Sequence, residues 1–156
     1  PWKYGGFYTN PNTKYGKFAF KTMDLDSINN LPIKELLDDN AVLFLWVIFP
    51  YLFYAKSTIE AWGFKYKAQF IWDKVKQNMG HYNSVRHELL LICTKGSCHP
   101  DSSELIDSVQ SIERMGHSQK PAEFRAIIDK MYPHGPRIEL FARGKTEGWD
   151  SWGNQI

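Results

Sequence analysis

Residues 41–48 read Ala41-Val42-Leu43-Phe44-Leu45-Trp46-Val47-Ile48. An unbroken apolar run of this length is how a central strand covered on both faces reads. Pro50 ends it. Leu52, Ala55, Ile59 and Trp62 follow at helical spacing, and Gly63 is the expected stop. A buried strand leading into an amphipathic helix is the first of the strand–helix alternations on which the α/β reading rests.

Working outward, Ala68 to Trp72 reads as a second strand, His87 to Thr94 as a third, and residues 107–112 as a short fourth. Upstream, residues 3–21 are rich in Gly, Tyr, Asn and Lys and lack apolar periodicity, so they read as a long loop. Long loops in compact domains are usually functional. Leu31-Pro32 starts a short helix that ends by Asp38-Asp39-Asn40. Downstream, Pro121 suits the first residue of a helix, with Glu123 in its first turn. Phe124, Ile127, Ile128 and Met131 form one apolar stripe. After a turn at 133–136, residues 138–142 make another strand. Strands alternating with helices predict a doubly wound, mostly parallel sheet.

The 156 residues fit one domain, 1–156, with a genuine core. Because Pro1 is not an initiator residue, the natural protein is expected to extend upstream. Hydrophobic content of 43% excludes a disordered chain. Nineteen basic and 17 acidic residues leave a net charge of +2, so any nucleic-acid footprint must come from local clustering. Cys93 and Cys98 supply no disulfide framework, and an intracellular, cytoplasmic setting is the simplest context. No apolar run is long enough to span a bilayer, and no signal peptide is visible. Cys93, Cys98 and His99 lack a partner pair at zinc spacing, so no metal is expected.

The last third of the chain is the richest in chemistry. Ser118-Gln119-Lys120-Pro121 precedes a helix, and Arg137-Ile138-Glu139-Leu140-Phe141-Ala142-Arg143 follows it. Trp149-Asp150-Ser151-Trp152-Gly153-Asn154-Gln155 closes the run. A buried strand ending in acidic and basic residues, then a loop of aromatic and amide side chains, is how an α/β protein builds a nucleotide-type cofactor site.

These landmarks, with others in order, resemble the MT-A family of adenine-N6 methyltransferases, which includes the eukaryotic messenger-RNA adenosine methyltransferase and many prokaryotic and phage relatives. Pro1-Trp2 looks like the second half of the family signature Asp-Pro-Pro-Trp. Leu43-Phe44-Leu45-Trp46, Ala61-Trp62-Gly63-Phe64, Phe70-Ile71-Trp72-Asp73-Lys74, Gly80-His81-Tyr82 and Arg86-His87-Glu88-Leu89-Leu90 match the middle of the pattern. His117-Ser118-Gln119-Lys120-Pro121, Glu139-Leu140-Phe141-Ala142-Arg143 and Gly153-Asn154-Gln155 match its end. Any one of these is weak, whereas all of them in sequence make a chance match improbable.

The resemblance implies a Rossmann-like methyltransferase fold with permuted motif order, the catalytic motif preceding the main cofactor strand. It implies S-adenosylmethionine as methyl donor and S-adenosylhomocysteine as product. Adenine N6 is a poor nucleophile because its lone pair is delocalised, so positioning carries much of the catalysis. In the family, the signature Asp and first Pro carbonyl accept hydrogen bonds from the amine, and the Trp, here Trp2, packs on the target base. The Asp and first Pro are absent from this sequence. They are expected just upstream; otherwise the fragment is inactive.

Lys120 resembles the lysine that meets the cofactor's methionine carboxylate. Arg143, Asn154 and Gln155 resemble residues that hold its ribose and adenine. Glu139 occupies the place of the acidic cofactor residue, and Leu140 and Phe141 line the pocket or pack the core. The usual glycine-rich turn is reduced to Ala142-Arg143-Gly144, and Lys145 stands near another polar contact.

Basic and aromatic residues interleave in two loops. Lys3, Lys14, Lys17 and Lys21 alternate with Tyr4, Phe7, Tyr8 and Tyr15. Lys74, Lys76, His81, Tyr82 and Arg86 form a similar mixture. Such mixtures suit phosphate contacts and base stacking, although solvated loop charges explain any single residue equally well. The target base must be single-stranded or flipped out. DNA is the preferred substrate, with RNA as the alternative within the class. A non-catalytic, nucleic-acid-binding subunit is the contrasting reading, and a homodimer or heteromeric partner fits either.

Overall fold

The structure is a computed structural model that describes Trp2 and residues 22–77, 82–115 and 119–156. The chain forms two compact units. One is Pro32–Pro133; the other joins Pro1–Leu31 to His134–Ile156.

The larger unit is built on a four-stranded sheet: β1 (Ala41–Val47), β2 (Lys65–Asp73), β3 (His87–Lys95) and β4 (Val109–Ser111), in the order β1-β3-β2-β4. The central position of β3 explains its apolar run: Leu90 to Thr94 are all buried. Leu90 and Ile92 point to one face and Leu91 and Cys93 to the other, so the sheet is covered on both sides.

The sheet corrects the expectation of mostly parallel pairing. β3 runs antiparallel to both β1 and β2, and only β2 with β4 is parallel. The reason lies in the connections. Among the described residues, no helix separates β2 from β3, and a parallel return needs a crossover, usually a helix. β2 is also longer than its apolar segment suggests. Its first half, Lys65 to Ala68, is exposed and pairs with β3, with a bulge between Tyr66 and Ala68.

Helix α2 (Ala55–Ala61) starts later than the spacing implies, after a 3₁₀ turn at Phe49–Tyr51. It buries Ala55, Thr58 and Ile59, packs against β2 and stops at Gly63, whose φ of 85° a side chain would resist. The segment after Pro32 forms a 3₁₀ turn at Ile33–Leu36 in place of a short α-helix. Helix α3 (Ala122–Met131) follows Pro121, which is its extended N-cap and not its first helical residue. The α3 stripe seats Phe124 on the sheet, its ring 4.9 Å from Trp46 and 6.4 Å from Phe70. Phe70, Trp72, Leu90, Ile92 and Phe124 form the core of this unit, with Val42, Phe44, Ile112, Ile127 and Met131 packed around it. Burying Phe124 alone contributes about 2–3 kcal/mol.

The smaller unit holds α1 (Leu25–Asn29) and a two-stranded parallel sheet, β5 (Ile138–Leu140) with β6 (Asp150–Trp152). Asp24 caps α1 by accepting from the Ser27 amide at 2.8 Å, and Ile28 anchors it. Neither α1 nor β6 stands out in the sequence, since each is only a few residues long and lacks an apolar stripe. β5 ends two residues earlier than expected because Phe141 turns left-handed, with φ of 59°. The 3–21 loop lies outside the described residues. No helix among the described residues is long and apolar enough to cross a membrane.

Candidate functional site

In the larger unit, the carboxyl ends of β1, β2 and β4 come out at the same end of the sheet where β3 begins. The register sets Val47 against Leu89, Trp72 against Glu88, and Asp73 against both His87 and Ser111. Open α/β sheets place ligands at the carboxyl ends of their strands.

Lys120, on the residue before Pro121, reaches this end. Its ammonium pairs with Glu88 Oε2 and lies 4.9 Å from the Trp46 ring centre and 5.8 Å from that of Trp72. Lys74, just past β2, donates to the other oxygen, Glu88 Oε1, at 2.6 Å and lies 5.0 Å from the Trp72 ring. One carboxylate thus bridges two ammoniums over a floor of two indoles.

Burial pushes the Glu88 carboxyl up, but the Lys120 and Lys74 cations outweigh it and hold the group below its ordinary value. Burial pulls the Lys120 ammonium below its ordinary value; Glu88 opposes that shift and Lys74 adds to it. With Glu88 ionised and both lysines protonated, the trio carries one net positive charge, so it is suited to an anion.

A second hub surrounds Asp73. Arg86 reaches both carboxylate oxygens at 2.9 Å, Ser111 donates at 3.2 Å, and the Val75 amide donates at 3.0 Å. The Val75 amide, then Ser111 and Arg86, hold the Asp73 carboxyl below its ordinary value against the effect of burial. The Lys76 amide donates to the Lys74 carbonyl at 2.7 Å across Val75, whose φ is 66°. That is a strained γ-turn carrying a β-branched residue. It fixes the backbone directly beside Lys74.

In the smaller unit, Phe141 follows β5 in its left-handed turn and meets Trp152 edge-on, ring centres 5.3 Å apart. The Ala142 amide donates to the Trp152 carbonyl at 3.0 Å. Gly153 is required here: a Cβ would lie 2.8 Å from the Ala142 nitrogen and 3.1 Å from the Phe141 carbonyl carbon. This contact ties the two strand ends together. It sets Arg143 beside Gln155, Nε donating to Oε1 at 3.1 Å, with both side chains exposed. Asn154 is exposed next to them, and Glu139 and Leu140 are half-buried on β5. Trp2 is largely buried, and its backbone bridges that of Met23 in parallel.

The sequence-level candidates therefore separate. Lys74, Arg86 and Lys120 gather at the sheet end of the larger unit. Arg143, Asn154 and Gln155, with Phe141 and Glu139, gather at the β5–β6 end of the smaller one. Tyr82 is fully exposed. Pro1, Lys3, Tyr4, Tyr8 and His81 lie outside the described residues. Sequence reasoning did not assign a role to Glu88, Trp46 or Trp72. The signal available was an acidic residue on a strand that is otherwise apolar, since a buried charge requires a partner. Among the described residues, no group of three or more His, Cys, Asp or Glu side chains is placed to hold a metal ion.

Comparison with known proteins gives a consistent picture. Residues 2–155 match the MT-A70 family. The Type II methyltransferase M.MunI of Mycoplasma sp. is 32% identical, across all of this chain and 74% of its own length. An N(6)-adenosine-methyltransferase MT-A70-like protein of Arabidopsis thaliana is 31% identical over 90% of this chain and 22% of its own. The human N(6)-adenosine-methyltransferase catalytic subunit METTL3 is 29% identical over 90% of this chain and 26% of its own. The chain therefore spans about a quarter of the plant and human relatives.

Proposed function

We propose, from the premise that this chain belongs to the MT-A70 family, that it is an S-adenosylmethionine-dependent enzyme that methylates adenine in DNA. The chain is a methyltransferase, and adenine N6 is the acceptor. In this reading residues 1–156 are one methyltransferase domain of Rossmann-like, permuted type, intracellular and cytoplasmic, where Cys93 and Cys98 persist as free thiols.

The observation that carries the reading is the cationic surplus at Lys120. An ammonium held over two indoles at the carboxyl end of a sheet suits the carboxylate of the cofactor's methionine portion. In the smaller unit, taken by itself, the family resemblance assigns further polar cofactor contacts. Arg143 and Gln155 present a donor fork and an amide, suited to ribose hydroxyls and ring nitrogens. Asn154 adds a second amide. The tight Gly153–Ala142 approach suits a backbone that must let a ligand close. Glu139, Leu140 and Phe141 form the strand end beside them.

When bound, S-adenosylmethionine supplies an electrophilic methyl carbon on a sulfonium. Pro1 and Trp2 end the catalytic signature, and the backbone of Trp2 is held by its bridge to Met23. Lys74, Tyr82 and Arg86, with Lys3, Tyr4, Tyr8 and His81, are the proposed nucleic-acid contacts. Arg86 is held by Asp73 with its side chain half exposed, which favours a fixed phosphate contact over a mobile one, whereas Lys74 is mostly buried in its pair with Glu88. DNA is preferred to RNA because the chain is 32% identical over its whole length to a prokaryotic Type II methyltransferase, against 31% and 29% over 90% of it to the plant and human adenosine methyltransferases.

The test uses purified full-length protein with methyl-labelled S-adenosylmethionine, offered oligodeoxynucleotides and matched RNA in parallel. Label on adenine N6 of the DNA is expected. Label in RNA alone moves the substrate to RNA. Cofactor binding without label in either makes the chain a non-catalytic, nucleic-acid-binding subunit.

A further inference from the structure

We propose that Glu88 is a positioning residue. Shared between Lys74 and Lys120, its carboxylate aims Lys120 at the anionic end of the cofactor, and the balance between Glu88 and Lys74 sets the pH range over which that anion is held. The inference rests on the cofactor reading above and extends it to two residues that do not themselves meet the carboxylate.

Exposure decides which member of the trio faces a ligand. The Lys120 side chain is 28% exposed, Lys74 14% and Glu88 10%. Lys120 therefore presents the surplus charge, while Glu88 and Lys74 stand behind it. Glu88 cannot be idle in such a place. A buried carboxylate is costly unless paired, and here both oxygens are used, one for each ammonium. Because it spans the two lysines, it prevents Lys120 from swinging freely on its four-carbon stem. The indoles of Trp46 and Trp72 restrict the same ammonium from below.

The arrangement also opposes two effects on one proton. The charged groups that face Lys120 among the described residues are Glu88 from β3 and Lys74 from the end of β2. Burial and Lys74 favour the neutral amine, and Glu88 favours the ammonium. Removing Glu88 should therefore make Lys120 lose its charge at lower pH. Removing Lys74 should make it keep its charge to higher pH. A cluster that does not face the ligand would leave the ligand's alkaline binding limb unmoved by either change.

The experiment is calorimetric binding of S-adenosylhomocysteine to the full chain across the neutral-to-alkaline range. The variants are Glu88→Gln, Lys74→Met and Glu88→Asp. 5′-Methylthioadenosine, which lacks the amino-acid carboxylate, provides the baseline. Titration of the ligand's own amine is common to all proteins and cancels between them.

For S-adenosylhomocysteine, the alkaline loss of affinity should move down in pH for Glu88→Gln and up for Lys74→Met. Each move should be about one pH unit, or a tenfold change in affinity at a fixed pH on the limb. Glu88→Asp keeps the charge and should stay near wild type, which covers a Gln variant that folds poorly. Methylthioadenosine affinity should not follow these shifts. Limbs that stay put, or that move in the same direction in both charge-removing variants, overturn the role of Glu88 while wild-type binding leaves the cofactor reading standing. A wild-type protein that binds neither compound overturns both.

Discussion

The Lys120 ammonium lies 4.9 Å from the centre of the Trp46 ring, and the same ring packs edge-on against Phe124 at 4.9 Å. One indole thus joins the charged site to the apolar core. Trp46→Leu removes both contacts and should lower stability by about 3 kcal/mol in urea denaturation. Trp46→Phe retains a ring and should cost about 1 kcal/mol. Equal losses in the two variants would show that the ring face does not matter.

Breaking the shared carboxylate should be expensive. Glu88→Gln leaves two partly buried ammoniums without their counter-ion and should cost about 3 kcal/mol. For a chain of this size that corresponds to a fall of roughly 10 °C in melting temperature. Adding Lys120→Met to that variant should recover part of the loss, because the like-charge repulsion with Lys74 disappears. A double variant no more stable than Glu88→Gln would contradict this assignment of the cost.

Acid should reproduce the same loss. Glu88 sits below its ordinary value of 4.5 in the folded state, burial being outweighed by Lys120 and Lys74. A depressed carboxylate contributes stability that is fully present above the unfolded value and is lost as pH falls through the folded one. The melting temperature should therefore decline as pH drops below about 4.5. Asp73, also lowered, adds to the same limb. Glu88→Gln should flatten the part due to Glu88, as a pH series of thermal melts will show.

The β5–β6 end makes a separate prediction. Gly153→Ala forces a Cβ to within 2.8 Å of the Ala142 nitrogen, and the neighbour is backbone, which cannot step aside. A cost of about 1–3 kcal/mol is expected. Weaker S-adenosylmethionine binding should accompany it, as it should for Arg143→Ala and Asn154→Ala. Calorimetry reads all three, and unchanged affinity in the Arg143 and Asn154 variants would remove those residues from the cofactor.

Val75 is strained at φ of 66° and about half exposed. Val75→Asn suits a left-handed turn better and buries little less, so stability should rise by about 1 kcal/mol. A drop in melting temperature would mean that the valine packs more tightly than its exposure indicates.

Much of this molecule is legible in the chain, and the reason is local. Leu90 to Cys93 cannot be other than a buried strand, because consecutive apolar residues need cover on both faces. The stripe from Phe124 to Met131 can only be a helix on a core. Gly63 is readable as the glycine that stops α2, whereas the close approach at Gly153 is visible only in the structure. The order of motifs, Pro1-Trp2 first and Asn154-Gln155 last, names the family without any coordinates.

Pairing was not legible in the same way. Strand direction depends on what connects the strands, and the stretch between β2 and β3 does not announce whether it crosses the sheet or returns beside it. The Glu88 bridge was hidden for a related reason. Lys74, Glu88 and Lys120 are 14 and 32 residues apart, and no periodicity links such positions. Local composition determined the longer strands and helices and which side chains are candidates for the chemistry. Only the tertiary structure decided that one carboxylate holds two of the lysines, because that depends on the β2–β3 register and on α3 lying across the sheet.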